Sequence, residues 1–318
     1  MILGMRMDCE LPNSAGQSEF LVRQLVDLMP LVGLDVGHYR LGRRLGSGKF
    51  GTVYSGIHRL TGDAVAIKVE PEDSRLPRLP TEASVYKALG AQYVPRMRWF
   101  GRAHGQYALV MDRLGPSLKS VQREAGMRLD LLAVQHVGEA ILERLEILHG
   151  TGWLHLDVKP ANILGPDPSA ARAVAGCASS QWTLVDFGLA RRWCDQQTGE
   201  HTPDVRRRGV VGTGRYASLA NHSGEPLGRR DDLESLALTL AFLHEGRLPW
   251  SAHESAVKVP TKPERFALIL AEKQRASVDE IAGTLPSHFR EYLRAVRLLR
   301  YDERPNYGVL RALLCLGG

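Results

Sequence analysis

Cysteine is scarce in this sequence of 318 residues, and the four cysteines lie far apart. Cys9, Cys177, Cys194 and Cys315 form no C-x-x-C pair, so the spacing predicts neither a disulfide framework nor a zinc site. Sparse, scattered cysteines are typical of proteins in a reducing compartment. We therefore expect an intracellular protein of the cytoplasm, the nucleus or both.

Long hydrophobic runs are also missing. No uncharged apolar stretch reaches the roughly 18 residues that a membrane-spanning helix needs. The most apolar segment, FLVRQLVDLMPLVGL at Phe20–Leu34, contains Arg23 and Asp27, is broken by Pro30 and follows acidic residues, which argues against a signal peptide. Its pattern favours an amphipathic helix within an N-terminal extension, residues 1–38.

Neither sign of charge dominates. Lys and Arg number 41 against 35 Asp and Glu, which gives a net charge of +6 and a pI of about 9.2. That excess favours anionic partners but is too small to predict a nucleic-acid-binding protein. The hydrophobic fraction of 44% is ordinary for a globular chain with a sizeable core, organised as one large domain or as two lobes.

The pattern of the chain changes from strands to helices. Strands are expected at YRLGRRL, TVYSGIHR and AVAIKVE, then at Met97–Gly101 and Tyr107–Met111, with one helix around Thr81–Leu89. Helical spacing of apolar residues begins with Leu131–His149 and recurs around Asp232–His244, Glu264–Lys273 and Ser287–Leu299. A small β-rich lobe followed by a larger helical lobe predicts a two-lobed α+β protein with a cleft between the lobes.

These patterns also place the boundaries. We expect a domain over residues 39–314, with an N-lobe over about 39–112, a C-lobe over about 115–314 and a short tail at 315–318. A low-complexity patch at Gly165–Ser180, rich in Ala, Gly and Ser, reads as a surface loop.

A glycine-rich segment, Gly46-Ser47-Gly48-Lys49-Phe50-Gly51, has the spacing G-x-G-x-x-G. The same spacing marks dinucleotide-binding folds, where the loop opens a helix. Here a β-branched strand follows, which favours a glycine hairpin laid over phosphates through its backbone N–H groups. An ordinary hairpin turn explains the segment alone equally well.

Lys68 stands in the apolar strand Val65-Ala66-Ile67-Lys68, where an unpaired charge is costly. Glu82, in the expected helix, is its natural counter-ion. Such a pair would hold the ammonium group toward α- and β-phosphate oxygens. The alternative is a surface lysine at the end of a strand.

A polar segment, His155-Leu156-Asp157-Val158-Lys159-Pro160-Ala161-Asn162, carries groups suited to phosphoryl transfer. Asp157 can accept the proton of an attacking hydroxyl, and Lys159 can neutralise the transferred phosphoryl group. Asn162 and the aspartate of Asp186-Phe187-Gly188 supply the oxygen ligands that Mg²⁺ prefers.

Together and in this order, these four motifs resemble those of eukaryotic protein kinases, from Tyr39 to about Leu314. Lys159 and Thr213 resemble the serine/threonine form. The chain is more closely similar to the casein kinase I family, whose motifs are matched at four places: L-G-P-S-L at 114–118, a near match to G-T-A-R-Y-A-S at 212–218, R-R-D-D-L-E-S-L at 229–236 and L-P-W at 248–250.

The resemblance implies a protein kinase fold, ATP and Mg²⁺ as cofactors, and protein substrates with acidic or phosphorylated segments. It implies Asp157, Lys159, Lys68, Glu82 and Thr213 as catalytic residues, with Asn162 and Asp186 on the metal. The implied nucleotide pocket comprises the following residues: Leu45, Gly46, Ser47, Gly48, Lys49, Phe50, Gly51, Thr52, Val53, Ala66, Lys68, Met111, Asp112, Leu114, Leu164 and Val185.

The family reads substrate phosphate through a basic cluster, for which Arg215 and Arg265 are the matching candidates. Guanidinium groups suit phosphate because they donate two parallel hydrogen bonds. Arg206-Arg207-Arg208 lies near in sequence and reads equally well as a solvated basic face. Pro263 and Glu264 lower the positive charge of the segment around Arg265, which is more basic in the family.

The chain departs from the family at Leu156, where an arginine ordinarily precedes the catalytic aspartate. That arginine pairs with a phosphorylated activation loop, so its loss argues against activation by loop phosphorylation. The leading hypothesis is an active serine/threonine kinase. The alternatives are a pseudokinase scaffold, which Leu156 favours but the five intact motif residues oppose, and a small-molecule phosphotransferase.

Overall fold

The computed structural model describes residues 31–48, 51–166, 182–203, 209–254 and 261–315. Most of the expected helix at Phe20–Leu34 lies outside these residues, and residues 31–34 form a turn in which the Leu34 amide donates to the Leu31 carbonyl over 3.1 Å. Of the patch at Gly165–Ser180, only Gly165 and Pro166 are described.

The first lobe is one antiparallel sheet of six strands in the order β1-β2-β3-β4-β6-β5. The central strands β4 and β6 are buried on both faces, because successive side chains of a strand point to opposite sides and both sides are covered. The bounds are β1 Asp35–Val36, β2 Tyr39–Gly48, β3 Gly51–His58, β4 Ala64–Pro71, β5 Met97–Ala103 and β6 Gln106–Asp112.

Helix α1 (Leu79–Leu89) lies against this sheet and contacts β5 and β6. Its buried side is apolar except for Glu82, which is only 1% exposed. A carboxylate inside a helix–sheet interface needs a partner. This helix therefore brings one charged group toward the strands.

The second lobe is mainly helical and also contains two short antiparallel strand pairs, residues 191–192 with 153–154 and residues 163–164 with 183–184. Its helices are α2 Leu118–Glu124, α3 Leu131–Gly150, α4 Leu219–His222, α5 Arg229–Glu245, α6 Ser251–Glu254, α7 Lys262–Arg275, α8 Val278–Ala282, α9 Ser287–Leu298 and α10 Tyr307–Cys315. The strands are β7 Trp153–Leu154, β8 Ile163–Leu164, β9 Thr183–Leu184 and β10 Arg191–Arg192.

Helix α5 runs through the middle of this lobe. Nearly all its residues are buried, and it packs on α3 and α9. Such a helix cannot show a narrow amphipathic stripe, because it has protein on every side. Several of its polar side chains consequently lie inside the fold and form hydrogen bonds with the backbone of neighbouring segments.

Asp232, on α5, is the clearest case, since its side chain is completely buried. Its Oδ1 accepts the Leu156 amide over 2.7 Å, and its Oδ2 accepts the His155 amide over 2.7 Å and His149 Nε2 over 2.9 Å. Burial alone raises the pKa of a carboxyl, but the hydrogen bond and charge of His149 hold the pKa of Asp232 below its ordinary value. The central helix thereby fixes the start of the polar segment that contains Asp157.

The predicted two-lobed α+β architecture is confirmed. The predicted strands and main helices are all found, with ends that shift by up to three residues. Within the described ranges, none of the helices combines the length and the apolar character required to cross a membrane.

We predict that Asp232→Asn lowers the free energy of unfolding by about 3 kcal/mol, because the new amide group meets N–H donors that the carboxylate accepted. Chemical denaturation measures the change. Asp279→Asn is the control: that side chain is 65% exposed in its ion pair with Arg290, so its change should stay within about 0.5 kcal/mol. Equal losses in the two variants would contradict the anchoring role of Asp232.

Candidate active site

Lys68 lies near the middle of β4, on the face toward α1, and is only 7% exposed. Its Nζ donates to Glu82 Oε2 over 2.5 Å and to Asp186 Oδ1 over 2.7 Å. The surface-lysine alternative is therefore wrong. One ammonium group joins the sheet, the helix and the segment after β9.

The three charges stabilise one another where none could stay alone. Burial disfavours the ammonium, yet Glu82 and Asp186 raise the pKa of Lys68 above its ordinary value. Burial also opposes ionisation of Asp186, but Lys68 outweighs it and lowers the Asp186 pKa. For Glu82 burial is the larger effect and raises the pKa, while Lys68 offsets part of it.

Asp157 is the second centre of the site and is held on both oxygens. The Thr213 amide donates to Oδ1 over 2.9 Å, while Lys159 Nζ donates to Oδ2 over 2.5 Å and Asn162 Nδ2 approaches Oδ2 at 3.3 Å. Lys159 Nζ also donates to Thr213 Oγ1 over 3.1 Å. Four residues expected to act together are thus adjacent, with the Asp157 carboxylate at their centre.

Gly212 allows that approach. Its φ is +81°, and a Cβ there would lie 2.4 Å from the Leu156 carbonyl and 3.0 Å from Asp157 Oδ1. Only glycine permits both the backbone conformation and the contact. The bond from the Thr213 amide to Asp157 depends on this close passage of the two segments.

Asn162 and Asp186 are the residues that could hold a metal ion. Asn162 Nδ2 is turned toward Asp157, which leaves the amide oxygen as the ligand atom, and Asp186 contributes a carboxylate whose side chain is 29% exposed. The Val185 amide donates to the Asn162 carbonyl over 2.9 Å and thereby links the two segments. One amide and one carboxylate oxygen, completed by phosphate and water, fit a hard divalent cation. In the part of the chain that the structure describes, no cluster of three or more His, Cys, Asp or Glu offers another metal site.

The expected nucleotide pocket is distributed over both lobes. In the glycine hairpin, Gly46, Ser47 and Gly48 pair with Val53, Thr52 and Gly51. Gly51 has φ of +118°, and a Cβ there would come within 2.2 Å of the Val69 carbonyl. Gly51 therefore lies close beside β4. Lys49 and Phe50 lie outside the described residues.

Behind the hairpin, Ala66 pairs with Met111 across β4 and β6, and Val53 pairs with Lys68. Leu45 is exposed, whereas Ala66, Leu164 and Val185 are half-buried and Met111 is nearly covered. Arg98 binds the Asp112 carboxylate over 2.5 Å, so that side chain is already paired. Contact of a base with the backbone from Asp112 to Leu114 stays a prediction.

Leu156, in place of the expected arginine, makes an apolar contact. It has φ of +65°, and its buried side chain packs with Leu154 and Leu227 against Trp193 and Val211. This position therefore joins the Asp157 segment to the chain after β10 by hydrophobic packing.

The segment Gly214–Ser218 is held by a residue that the sequence analysis missed. Lys273 of α7 is 1% exposed and donates from Nζ to the Gly214 carbonyl over 3.0 Å and to the Ala217 carbonyl. Its ammonium lies 4.7 Å from the centre of the Trp250 ring. A lysine among the charged residues of an amphipathic helix gives no sign in the sequence that it is buried.

The two candidate anion ligands lie on elements that touch. Phe266, next to Arg265, packs against Gly214, next to Arg215. The Arg215 guanidinium lies 4.7 Å from the Phe242 ring centre, which is a cation–π contact. The neighbouring arginines Arg206, Arg207 and Arg208 lie outside the described residues.

Residues 39–307 match the family model described as the protein kinase domain. This chain belongs to the protein kinase family. Membership implies ATP as the phosphoryl donor, a divalent metal ion and protein substrates. In this kinase Lys68 of the smaller lobe binds Asp186 of the larger lobe, and Asp157 contacts Lys159, Asn162 and Thr213.

The kinase carries a neutral histidine beneath its Gly214–Ser218 segment. His222 Nε2 donates to the Gly214 carbonyl over 2.8 Å. Burial, reinforced by the Lys273 ammonium, lowers the pKa of His222 to about 4. Since an unfolded histidine has its ordinary pKa near 6.5, the unfolded chain binds more protons between pH 6.5 and 4. Stability from this group is therefore present above pH 6.5 and lost as the pH falls toward 4.

We predict that wild type loses about 3 kcal/mol more unfolding free energy than His222→Gln between pH 6.5 and 4. Glutamine can still donate to the Gly214 carbonyl but does not titrate. Denaturant unfolding of both proteins across this pH range measures the difference, because all other groups titrate in both. Parallel stability curves would show that His222 is not held neutral.

Proposed function

We propose that this protein is an active serine/threonine kinase similar to the casein kinase I family, using Mg-ATP to phosphorylate acidic or already phosphorylated protein segments. The observation that carries the proposal is the environment of Asp157. Its carboxylate is held by the Thr213 amide, Lys159 and Asn162. These four residues are in mutual contact, an arrangement that phosphoryl transfer would use and a scaffold would not require.

The role of Asp157 follows from its contacts. Its two oxygens receive donors from fixed neighbours, so the carboxylate is oriented before a substrate arrives. A serine or threonine hydroxyl placed beside it would give its proton to Asp157 as the oxygen attacks the γ-phosphorus, the bond from that phosphorus to the β,γ-bridging oxygen breaks and ADP leaves. Lys159 bridges Asp157 and Thr213 and can neutralise the charge of the transferred group. The bridge to Thr213 supports the serine/threonine assignment.

Lys68, Asn162 and Asp186 would hold the phosphoryl donor, Mg-ATP. Lys68, already charged through Glu82 and Asp186, can bind phosphate oxygens without a change of protonation. Asn162 and Asp186 would hold Mg²⁺, which when bound would neutralise phosphate charge. Positioning and charge stabilisation supply most of the catalysis in phosphoryl transfer.

Leu156 bears on regulation. The apolar cluster of Leu154, Leu156 and Leu227 with Trp193 and Val211 joins the Asp157 segment to the chain after β10. An arginine would need a phosphate on that chain as its partner, and leucine does not. We infer that the kinase needs no phosphorylation of its activation segment.

Substrate preference rests on Arg215 and Arg265. Helix α7, which carries Arg265, packs against the segment that carries Arg215, and this supports a shared anion site. A guanidinium group that binds a substrate phosphate contributes through charge-assisted, paired hydrogen bonds.

Asp157→Asn tests the proposed function. We expect transfer of labelled phosphate from Mg-ATP to casein to fall by a factor of about 10²–10⁴, since the amide cannot accept the hydroxyl proton. The ATP dissociation constant should change little, because Asp157 orients the hydroxyl and not the nucleotide. Asp279→Asn, at an exposed site, is the control. Undiminished transfer by Asp157→Asn would refute the assignment, and a wild type that binds ATP without transfer would favour a scaffold.

Arg215→Gln tests the substrate preference. On a peptide with a phosphoserine before the target serine, kcat/KM should fall about tenfold to a hundredfold, as one charge-assisted contact is lost. The loss on the matched unphosphorylated peptide should be clearly smaller. Arg311→Gln, on α10, is the control for a general loss of positive charge. Equal losses of kcat/KM on the two peptides would count against recognition of the substrate phosphate by Arg215.

A further inference from the structure

Glu70 is a buried carboxylate that neither the motifs nor the proposed chemistry uses. It lies at the end of β4 and is only 5% exposed. Its Oε2 accepts two backbone amides, those of Arg78 and Leu79, each over 2.8 Å. Both amides belong to the start of α1. A buried carboxylate is tolerated only where such donors compensate its lost hydration.

Glu70 supplies what the helix itself lacks. Arg78 occupies the N-cap position of α1 and makes no side-chain capping bond there. The first amides of a helix have no partner within the helix and carry its positive dipole end. The Glu70 carboxylate on β4 accepts hydrogen bonds from two of these amides and places a negative group at the positive end of the helix dipole. The position of α1 relative to β4 is therefore set by Glu70 as well as by packing.

The same strand holds the helix a second time. Lys68 and Glu70 are two residues apart on β4, so their side chains leave the same face of the strand. Lys68 binds Glu82 in the helix, and Glu70 binds its first turn. Two contacts on one face constrain both the distance and the rotation of α1 relative to β4, whereas Lys68–Glu82 alone attaches the helix to this strand at a single point.

The first turn of α1 also contacts the Asp186 segment. Arg78 Nη1 donates to the Gly188 carbonyl over 3.1 Å. Phe187 packs edge-on against Tyr86 of the same helix, with ring centres 5.2 Å apart. A displacement of the helix start would therefore disturb both the Glu82 contact and the residues beside Asp186.

We propose that Glu70 is a positioning residue for phosphoryl transfer: it fixes the start of α1 so that Glu82 stays on Lys68. This inference rests on the proposed function. Glu70 acts through Glu82, since its described hydrogen bonds go to the helix backbone.

Glu70→Ala, Glu70→Gln and the control Glu72→Ala test the proposal. Glu72 is two residues away and bridges to Arg102 at the surface. In Glu70→Ala we expect kcat to fall about tenfold or more while KM for the protein substrate changes by less than about twofold. Glu70→Gln should recover much of the activity, since an amide oxygen still accepts hydrogen bonds. Glu72→Ala should match wild type.

A double-mutant cycle separates positioning from general stability. If Glu70 acts through Glu82, adding Glu70→Ala to Glu82→Gln should lower kcat by less than about twofold further. Amide hydrogen exchange should rise across α1 in Glu70→Ala and not in Glu72→Ala. Should Glu70→Ala fail to fold, Glu70→Asp, with a side chain too short to reach the helix, takes its place.

Two results would overturn the inference in an active kinase: kcat in Glu70→Ala equal to that in Glu72→Ala, or losses from Glu70→Ala and Glu82→Gln that simply multiply. If the wild-type protein transfers no phosphate, the proposed function is wrong instead. In that case hydrogen exchange still decides the inference, because unchanged exchange across α1 in Glu70→Ala would show that Glu70 does not hold the helix.

Discussion

The Lys68 ammonium is the point at which three separate segments of the chain meet. It is buried in β4, and it stays charged because Glu82 comes from α1 and Asp186 from the segment after β9. The Lys68 and Glu82 side chains are almost completely buried, so neither charge is tolerable there without a partner. The positions of the sheet, the helix and the Asp186 segment therefore depend on one another through these two ion pairs. Glu70 supports them by holding the start of α1.

The Asp157 segment obeys a similar constraint, imposed from within the larger lobe. Asp232 uses its whole carboxylate on the amides of His155 and Leu156 and on His149. This places Asp157 just beyond a rigid anchor, while Leu156 faces an apolar cluster. A nearly completely buried helix thereby sets the backbone from which the Asp157 carboxylate projects.

The segment around Gly214, which contacts Asp157 through Thr213, is held by polar side chains that bind its backbone and have no part in the proposed reaction. Lys273 and His222 both donate to the Gly214 carbonyl, and Gly212 lets the chain pass against Asp157. A charged and a neutral donor can share one carbonyl because burial and the ammonium keep the histidine uncharged. The position of Thr213 at Asp157 follows from this support.

The sequence by itself determined the elements and the motif residues. Alternation in β4, helical spacing in Leu131–His149 and the motifs around Lys68 and Asp157 are local patterns, and local patterns suffice for strands, helices and the order of the lobes. Only the tertiary structure decided that Glu70 reaches α1 and that Lys273 is buried beneath Gly214. Those contacts depend on the packing of distant segments, and a lone Glu or Lys reads as solvated until its surroundings are known.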